Sequence, residues 1–270
     1  MAAGLAWHDG AFAALPAAAA LFAGWLIQVG GVLTDNYTNL RREPEDREHP
    51  ELVSALKSGT LTLGQLRAAM TACLVLALLT GVYLVLKAGP GVIAIGFASI
   101  AAAYVYSAGP FPFGRHGFAD PLFFLFFGVV SVAGVYYVQA EHLPLAALAL
   151  GVPVGALTTN ILIIDDIRDR EFDVVKGKNT IAVRFGAGWS RAEFAAFLAV
   201  AYLSPFWFWL GFGFGPWVLL PLATLPYAGL TLRDVLTLDR HVDLIPVTPK
   251  AGRLLLAYSL FLAAGVALAR

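Results

Sequence analysis

The sequence predicts an all-α fold: a polytopic membrane bundle of about eight transmembrane helices in two four-helix halves. Hydrophobic residues make up 59% of the 270 residues and charged residues only 13%, which is more apolar surface than one water-soluble core could hide. Apolar runs of nearly 20 residues recur along the whole chain, the length that spans a bilayer as a helix. Basic residues lie in alternate connections between these runs. Lipid is therefore expected to be the main solvent.

Eight apolar runs qualify as spans, because lipid offers no hydrogen-bond partners and each crossing segment must be helical. They cover residues 11–33, 68–86, 91–107, 121–138, 143–164, 194–214, 215–232 and 254–269. No Lys or Arg precedes the first run, so we interpret it as a retained helix and not as a secretory signal. The single cysteine, Cys73, excludes a disulfide framework and argues against a cysteine metal site.

The charges identify the functional face. All Lys and Arg residues except Lys87 and Arg270 lie after the first, third, fifth and seventh runs, and the positive-inside rule makes that face cytoplasmic. The acidic residues follow them, with only Asp9 and Glu141 on the other side. Because insertion is nearly indifferent to carboxylates, their accumulation there indicates a function. The net charge is zero, so nothing points to a nucleic-acid partner.

Two polar stretches dominate this face: TDNYTNLRREPEDRE from Thr34 and NILIIDDIRDREFDVVKGKNT from Asn160. Four predicted helices separate them, so we expect both to reach one cytoplasmic mouth. A solvated loop with helix caps and charge pairs is the ordinary alternative for such a stretch. Against it, Asp165 and Asp166 follow the apolar run 161–164, which places them at the membrane boundary, where carboxylates are costly and usually functional.

In the second stretch Asp165, Asp169 and Asp173 recur every four residues, which predicts three carboxylates along one helical face with Asp166 beside them. Repulsion among them calls for cations, and oxygen ligands without His or Cys suit Mg²⁺ shared with substrate phosphates. The basic residues near them are expected to bind phosphate oxygens: Arg168, Lys176 and Lys178. The first stretch repeats the spacing with amides, which still ligate hard cations: Asp35, Asn36 and Asn39, followed by Arg42.

These motifs resemble those of the UbiA-type intramembrane prenyltransferases, most closely the branch that prenylates 1,4-dihydroxy-2-naphthoate on the way to menaquinone. DDIRDREFDVVKGKNTIAVRFG looks like the branch's second Asp motif. The most specific signal is YSAGPFPFGRHGFADPLFFLFFG, residues 106–128, which is similar to its signature around the third and fourth helices. LVSALKSGTLTLGQL and VTPKAGRLLLAYSL agree more loosely.

The resemblance implies an Mg²⁺-dependent enzyme that transfers a polyprenyl group from a polyprenyl diphosphate to an aromatic acceptor within the bilayer. It implies catalytic roles for Asp165, Asp169, Tyr106 and Asp120. Metal binding would fall to Asp35, Asn39, Asp165, Asp169 and Asp173, and substrate binding to Asp35, Asn36, Asn39, Arg42, Arg168, Lys176 and Lys178. Tyr106 would stabilise an allylic cation, and Asp120 would orient the acceptor or take a proton, with a helix N-cap beside Pro121 as its alternative role.

The sequence departs from the family pattern at three places. Asn39 replaces an expected Asp, while Asp165 and Asp166 replace an Asn pair; we interpret the second change as compensating for the first. Asn179 replaces an expected Arg. The chain, interpreted as a single domain over residues 1–270, begins at what resembles the family's second helix.

Other functions remain open at this stage. Another acceptor, such as 4-hydroxybenzoate, is one alternative, and a prenyl-lipid-binding relative with weak or no catalysis is another. A transporter is disfavoured because few charges lie deep in the spans.

Overall fold

The structure is a computed structural model that describes residues 1–42, 50–107 and 113–269, without the side chains of residues 35, 39, 42, 50, 51, 103, 104, 106, 107 and 115. Every regular element in these ranges is helical, which confirms the all-α prediction. The contacts divide the chain into two compact units, and each is described by itself below.

One unit comprises residues 14–92. Its helices are α2 (Ala14–Arg42), α3 (Pro50–Lys57) and α4 (Leu63–Ala88). Thr62 begins α4 with a capping box, in which its hydroxyl accepts from the Gln65 N–H and the Gln65 side chain accepts from the Thr62 N–H. The helices α2 and α4 pack side by side, and a Cβ added at Gly30 would lie 3.3 Å from Cys73 Cβ. Small residues therefore permit this close pairing.

The other unit comprises residues 1–13 and 93–270. Helix α5 (Gly91–Ser107) belongs to this unit from residue 93 onward. The other helices of the unit are α1 (Ala2–His8), α6 (Ala119–Phe123), a π-helical turn (Phe124–Val130), α7 (Ser131–Ala140), α8 (Leu145–Arg168), α9 (Arg170–Val175), α10 (Ile181–Phe185), α11 (Ala187–Gly211), a 3-10 helix (Pro216–Thr224), α12 (Leu225–Thr237), α13 (His241–Leu244) and α14 (Val247–Leu268). Helix α8 is central, because it packs against the π-helical turn, α11 and α14.

Six helical segments of the described chain are long and apolar enough to cross a membrane. They are Ala14–Thr38, Leu63–Ala88, Ala119–Ala140, Leu145–Arg168, Ala187–Gly211 and His241–Leu268. The chain is therefore an integral membrane protein, while the predicted count of eight spans and their division into two four-helix halves are not confirmed. The expected third span is the 17-residue helix α5. The expected seventh begins as a 3-10 helix containing Pro216 and Pro221, because proline lacks the N–H of a regular α-helix.

Glycines bring α8 against the π-helical turn. A Cβ added at Gly128 would lie 2.3 Å from the Cα of Gly155, and one at Gly151 would lie 2.5 Å from the Cα of Val129. No side chain fits at such distances, so the two backbones touch. This contact fixes the register between the helices that carry Asp120 and Asp165.

Candidate active site

A single arginine holds the first two members of the repeat formed by Asp165, Asp169 and Asp173. Arg168 Nη1 donates to Asp165 Oδ1 at 2.6 Å, while Nε and Nη2 donate to the two oxygens of Asp169 at 2.9 and 2.5 Å. Helix α8 ends at Arg168, with Asp169 as its cap. The guanidinium fork thus keeps two like-charged groups together, since its rigid donors match carboxylate geometry.

Two residues from the carboxyl-terminal part of the chain complete this arrangement. The Thr248 hydroxyl donates to Asp165 Oδ1 at 2.7 Å and accepts from Arg168 Nη1 at 3.2 Å. His241 Nδ1 lies 3.1 Å from the Arg168 carbonyl oxygen and 3.3 Å from Asp169 Oδ1. We call these five residues the Asp165 cluster. Sequence reasoning missed His241 and Thr248; the only signal was that Thr248 lies in the segment VTPKAGRLLLAYSL, which resembled the family.

The third carboxylate of the repeat takes a different partner. Asp173 is buried, with 3% of its surface exposed, and Lys178 Nζ lies 2.9 Å from its Oδ1. Asp166 experiences the charges of Asp120, Asp173, Lys178 and Asp165. The row formed by Asp165, Asp169 and Asp173 stays a prediction, although backbone hydrogen bonds from the Asp169 N–H to the Asp165 carbonyl oxygen and from the Asp173 N–H to the Asp169 carbonyl oxygen keep its four-residue spacing. A new helix, α9, starts at Arg170, and Asp173 on this helix pairs with Lys178, which follows it.

Asp120 lies next to this second group. Only 2% of its surface is exposed, and it experiences the charge of Glu193 on α11. The helix that contains Asp120 begins at Ala119 after Phe118, without a side-chain cap. The alternative N-cap role of Asp120 was therefore wrong, which leaves its carboxylate available for another purpose.

The remaining predicted residues are placed less completely. Asn36 lies in α2 and is partly buried, and Lys176 is exposed at the end of α9. The backbones of Asp35, Asn39 and Arg42 lie in α2 and that of Tyr106 in α5, but the side chains of these four lie outside the described residues. The convergence of the two polar stretches therefore stays a prediction.

The donor atoms fit a hard cation. Four aspartates of the second stretch supply only oxygen ligands: Asp165, Asp166, Asp169 and Asp173. Among the residues described with side chains, no group of three or more His, Cys, Asp or Glu is arranged to hold a metal by itself. One or two of these aspartates would be enough for Mg²⁺, which commonly takes one or two carboxylates and completes its shell with phosphate oxygens and water.

The helical spans and this carboxylate-rich cluster define a polytopic membrane protein with acidic and basic side chains grouped at the end of one span. The chain belongs to the UbiA prenyltransferase family, which it matches over residues 1–244. This confirms the family and the class of enzyme, a prenyltransferase, expected from the sequence.

Curated relatives extend this result. The chain is 34% identical over 246 residues to the 1,4-dihydroxy-2-naphthoate octaprenyltransferase of Mycobacterium tuberculosis (strain ATCC 25618 / H37Rv), covering 89% of this chain and 82% of that protein. It is 32% identical over 200 residues to the protein of the same name from Escherichia coli (strain K12), covering 72% of this chain and 65% of that protein.

Two solved structures share the fold. One is an apo UbiA homolog from Aeropyrum pernix K1, with a TM-score of 0.64 and 16% identity over 98% of this chain and 96% of that one. The other comes from work on digeranylgeranylglyceryl phosphate synthase, with a TM-score of 0.64 and 14% identity over 98% and 91%. At these identities the likeness concerns architecture alone.

Proposed function

We propose that this chain transfers a polyprenyl group from a polyprenyl diphosphate to 1,4-dihydroxy-2-naphthoate in menaquinone biosynthesis. The observation that carries the proposal is the 34% identity to a protein named for this acceptor, extending over 89% of the chain. The Asp165 cluster supports it, because paired carboxylates and basic side chains are the groups that a diphosphate with its metal requires.

The diphosphate is proposed to bind at the second polar stretch. Asp165, Asp169 and Asp173 would hold Mg²⁺, with Asp35 and Asn39 contributing as expected from the sequence. The phosphate oxygens would be bound by Asn36, Arg42, Arg168, Lys176 and Lys178. Bound Mg²⁺ supplies positive charge that stabilises the departing diphosphate. Hydrogen bonds to two carboxylates and Thr248 fix the position of Arg168, so its positive charge is held beside the aspartates where the diphosphate would bind.

The reaction exchanges a C–O bond for a C–C bond. The allylic C–O bond breaks and its electron pair leaves with the diphosphate. A π-electron pair of the acceptor ring then forms the new bond to the allylic carbon. The attacked ring carbon restores aromaticity by losing a proton, or carbon dioxide if it carries the carboxyl group. Tyr106 is proposed to stabilise the allylic cation with its ring face, and buried Asp120 to take a proton from the acceptor.

The proposal also assigns an orientation in the membrane. All but two of the Lys and Arg residues lie in alternate connections, so the polar stretches are proposed to face the cytoplasm. The lipid bilayer would then deliver the prenyl chain from the side, while the charged diphosphate stays at the boundary, where the second stretch begins. In this proposal residues 1–270 act as one domain.

One assay tests the proposal. The purified protein in detergent is incubated with Mg²⁺, labelled octaprenyl diphosphate and separate acceptors: 1,4-dihydroxy-2-naphthoate, 4-hydroxybenzoate, homogentisate and glyceryl phosphate. We expect labelled product with the naphthoate. Product with a different acceptor alone would overturn the acceptor assignment. Binding of the diphosphate without any product would identify a non-catalytic relative, the function that Asn39 in the first stretch favours.

A further inference from the structure

Three helices of the larger unit meet at Phe124, the first residue of the π-helical turn. Its carbonyl oxygen lies only 2.5 Å from the position of a Cβ added to Gly155 on α8. Its ring stacks on Phe197 of α11, with centroids 5.8 Å apart. Phe124, Gly155 and Phe197 therefore lie at the same height along the π-helical turn, α8 and α11, and we call this height the Phe124 level.

One helical turn from this level, each helix carries a polar side chain. Asp120 lies four residues before Phe124, and Glu193 lies four residues before Phe197. Thr159 lies four residues after Gly155. Because α8 runs antiparallel to the π-helical turn, with Gly151 against Val129 and Gly155 against Phe124, a step forward on α8 matches a step back on its neighbour.

Electrostatics agree with this register. The charge of Glu193 acts on Asp120, and the charge of Asp120 acts on Asp166, which lies seven residues after Thr159 on α8. Residues seven apart share a helical face. The three polar side chains therefore lie at one level, next to the second polar stretch.

These side chains leave hydrogen-bonding atoms unused. Asp120 Oδ1, Thr159 Oγ1, Glu193 Oε2 and both amide atoms of Asn160 are buried without a hydrogen-bond partner among the described residues. Thr159 is 0% exposed and Asn160 2%. We call Asp120, Thr159, Asn160 and Glu193 the inner polar cluster. Buried polar atoms without partners are rare and costly, so several on adjacent turns of packed helices indicate a ligand that completes them.

The chemistry of the cluster selects the ligand. Its carboxylate and amide oxygens need O–H donors, whereas the Asn160 amide nitrogen needs an acceptor. A diphosphate has no donor in its ionised form and is repelled by Asp120 and Glu193. A ring that carries hydroxyl groups supplies O–H donors for the oxygens and a neutral hydroxyl oxygen as acceptor for the Asn160 amide.

We propose that the polar edge of the aromatic acceptor binds to the inner polar cluster and that its ring packs against Phe124 and Phe197. This inference rests on the proposed function and adds Thr159, Asn160 and Glu193 to the residues that determine acceptor binding. The charge of Asp120 acts on Asp166, which is adjacent in sequence to Asp165, so the cluster lies near the aspartates assigned to the diphosphate, as a reaction between the two substrates requires.

The test uses two substitutions of nearly equal shape, Thr159→Val and Asn160→Leu. A matched control is Thr231→Val: Thr231 is also 0% exposed, but its hydroxyl donates to the Tyr227 carbonyl oxygen at 2.9 Å. We expect Thr159→Val and Asn160→Leu to raise the acceptor KM about tenfold, the effect of one lost hydrogen bond in a buried site. The KM of the polyprenyl diphosphate stays unchanged, and Thr231→Val changes neither constant.

Thermal stability separates binding from a structural role. Replacing an unpartnered buried polar group by an apolar one of the same shape is neutral or stabilising, so the Tm of the ligand-free Thr159→Val and Asn160→Leu variants should not fall. A lower Tm together with a higher KM for both substrates would show a packing role and overturn the inference.

Binding of 1,4-dihydroxy-2-naphthoate alone is measured by titrating it into the purified protein and recording the rise in Tm. This measurement distinguishes the inference from the proposed function. Acceptor binding that is weakened by Thr159→Val and not by Thr231→Val supports the inference even if no prenylated product forms, in which case the proposed function fails. If product forms normally and Thr159→Val binds the acceptor as well as Thr231→Val does, the inference is overturned while the proposed function stands.

Discussion

Thr248 and Asp165 are 83 residues apart in sequence, yet the threonine hydroxyl donates a 2.7 Å hydrogen bond to the aspartate carboxylate. The same hydroxyl accepts from Arg168. One uncharged side chain on α14 thus orients both members of an ion pair at the end of α8.

Replacing Thr248 by Val should therefore impair the diphosphate site. A hydrogen bond to a charged group contributes about 1.5–3 kcal/mol, and 1.4 kcal/mol corresponds to about a tenfold change. We expect kcat/KM for the polyprenyl diphosphate to fall about tenfold or more, measured with labelled substrate at saturating acceptor. Thr248→Ser, which keeps the hydroxyl, should recover most of this loss. Equal defects in the Ser and Val variants would show that the methyl group, and not the hydrogen bond, matters.

The Asp165 carboxylate is expected to be needed for metal-dependent turnover. Asp165→Asn keeps the shape and removes the charge, so turnover should fall at least about 100-fold, as is typical when a transition-state charge loses its stabilisation. Chelation with EDTA should abolish wild-type activity and added Mg²⁺ should restore it. The control is Asp239→Asn, because Asp239 is exposed and pairs with Arg191 at 2.5 Å. Undiminished Mg²⁺-dependent turnover in Asp165→Asn would remove the basis of the compensation hypothesis.

Asn39 offers a second test of that hypothesis. If Asp165 compensates for the amide at position 39, Asn39→Asp should lower the Mg²⁺ concentration for half-maximal activity, because a carboxylate is a stronger ligand for a hard cation than an amide. Combined with Asp165→Asn, it should restore part of the lost turnover. Mg²⁺ titrations of the wild type, both single variants and the double variant measure this. Strictly additive effects in the double variant would mean that the two residues act on different ligands.

Gly155 should be intolerant of any side chain. A Cβ there would lie 2.5 Å from the Phe124 carbonyl oxygen, so Gly155→Ala must push the helices apart at an expected cost of about 1–3 kcal/mol. The measurement is the Tm of the purified protein in detergent. Gly229→Ala is the control: Gly229 lies within α12 and has no atom within 4 Å of its added Cβ. We expect that variant to be as stable as the wild type or slightly more stable, because Ala favours helices.

The sequence predicted the parts of the site that depend on local order. Asp165, Arg168 and Asp169 are close in the chain, so helical spacing was enough to bring them together. It did not predict the end of α8 at Arg168, because no proline or glycine marks that position in the sequence. Thr248 and His241 escaped notice because neither has a motif of its own.

The amino-acid sequence was enough to predict a lipid environment, a helical fold and the family. These properties follow from the 59% hydrophobic composition and from the spacing of residues close together in the chain. Which side chains of different helices lie at the same height along the helix axes became known only from the tertiary structure. Asp120, Thr159 and Glu193 are far apart along the chain, and their register is set by the backbone contact of Phe124 with Gly155 and by the ring contact of Phe124 with Phe197. Such contacts depend on how helices pack, a property to which residues from the whole chain contribute.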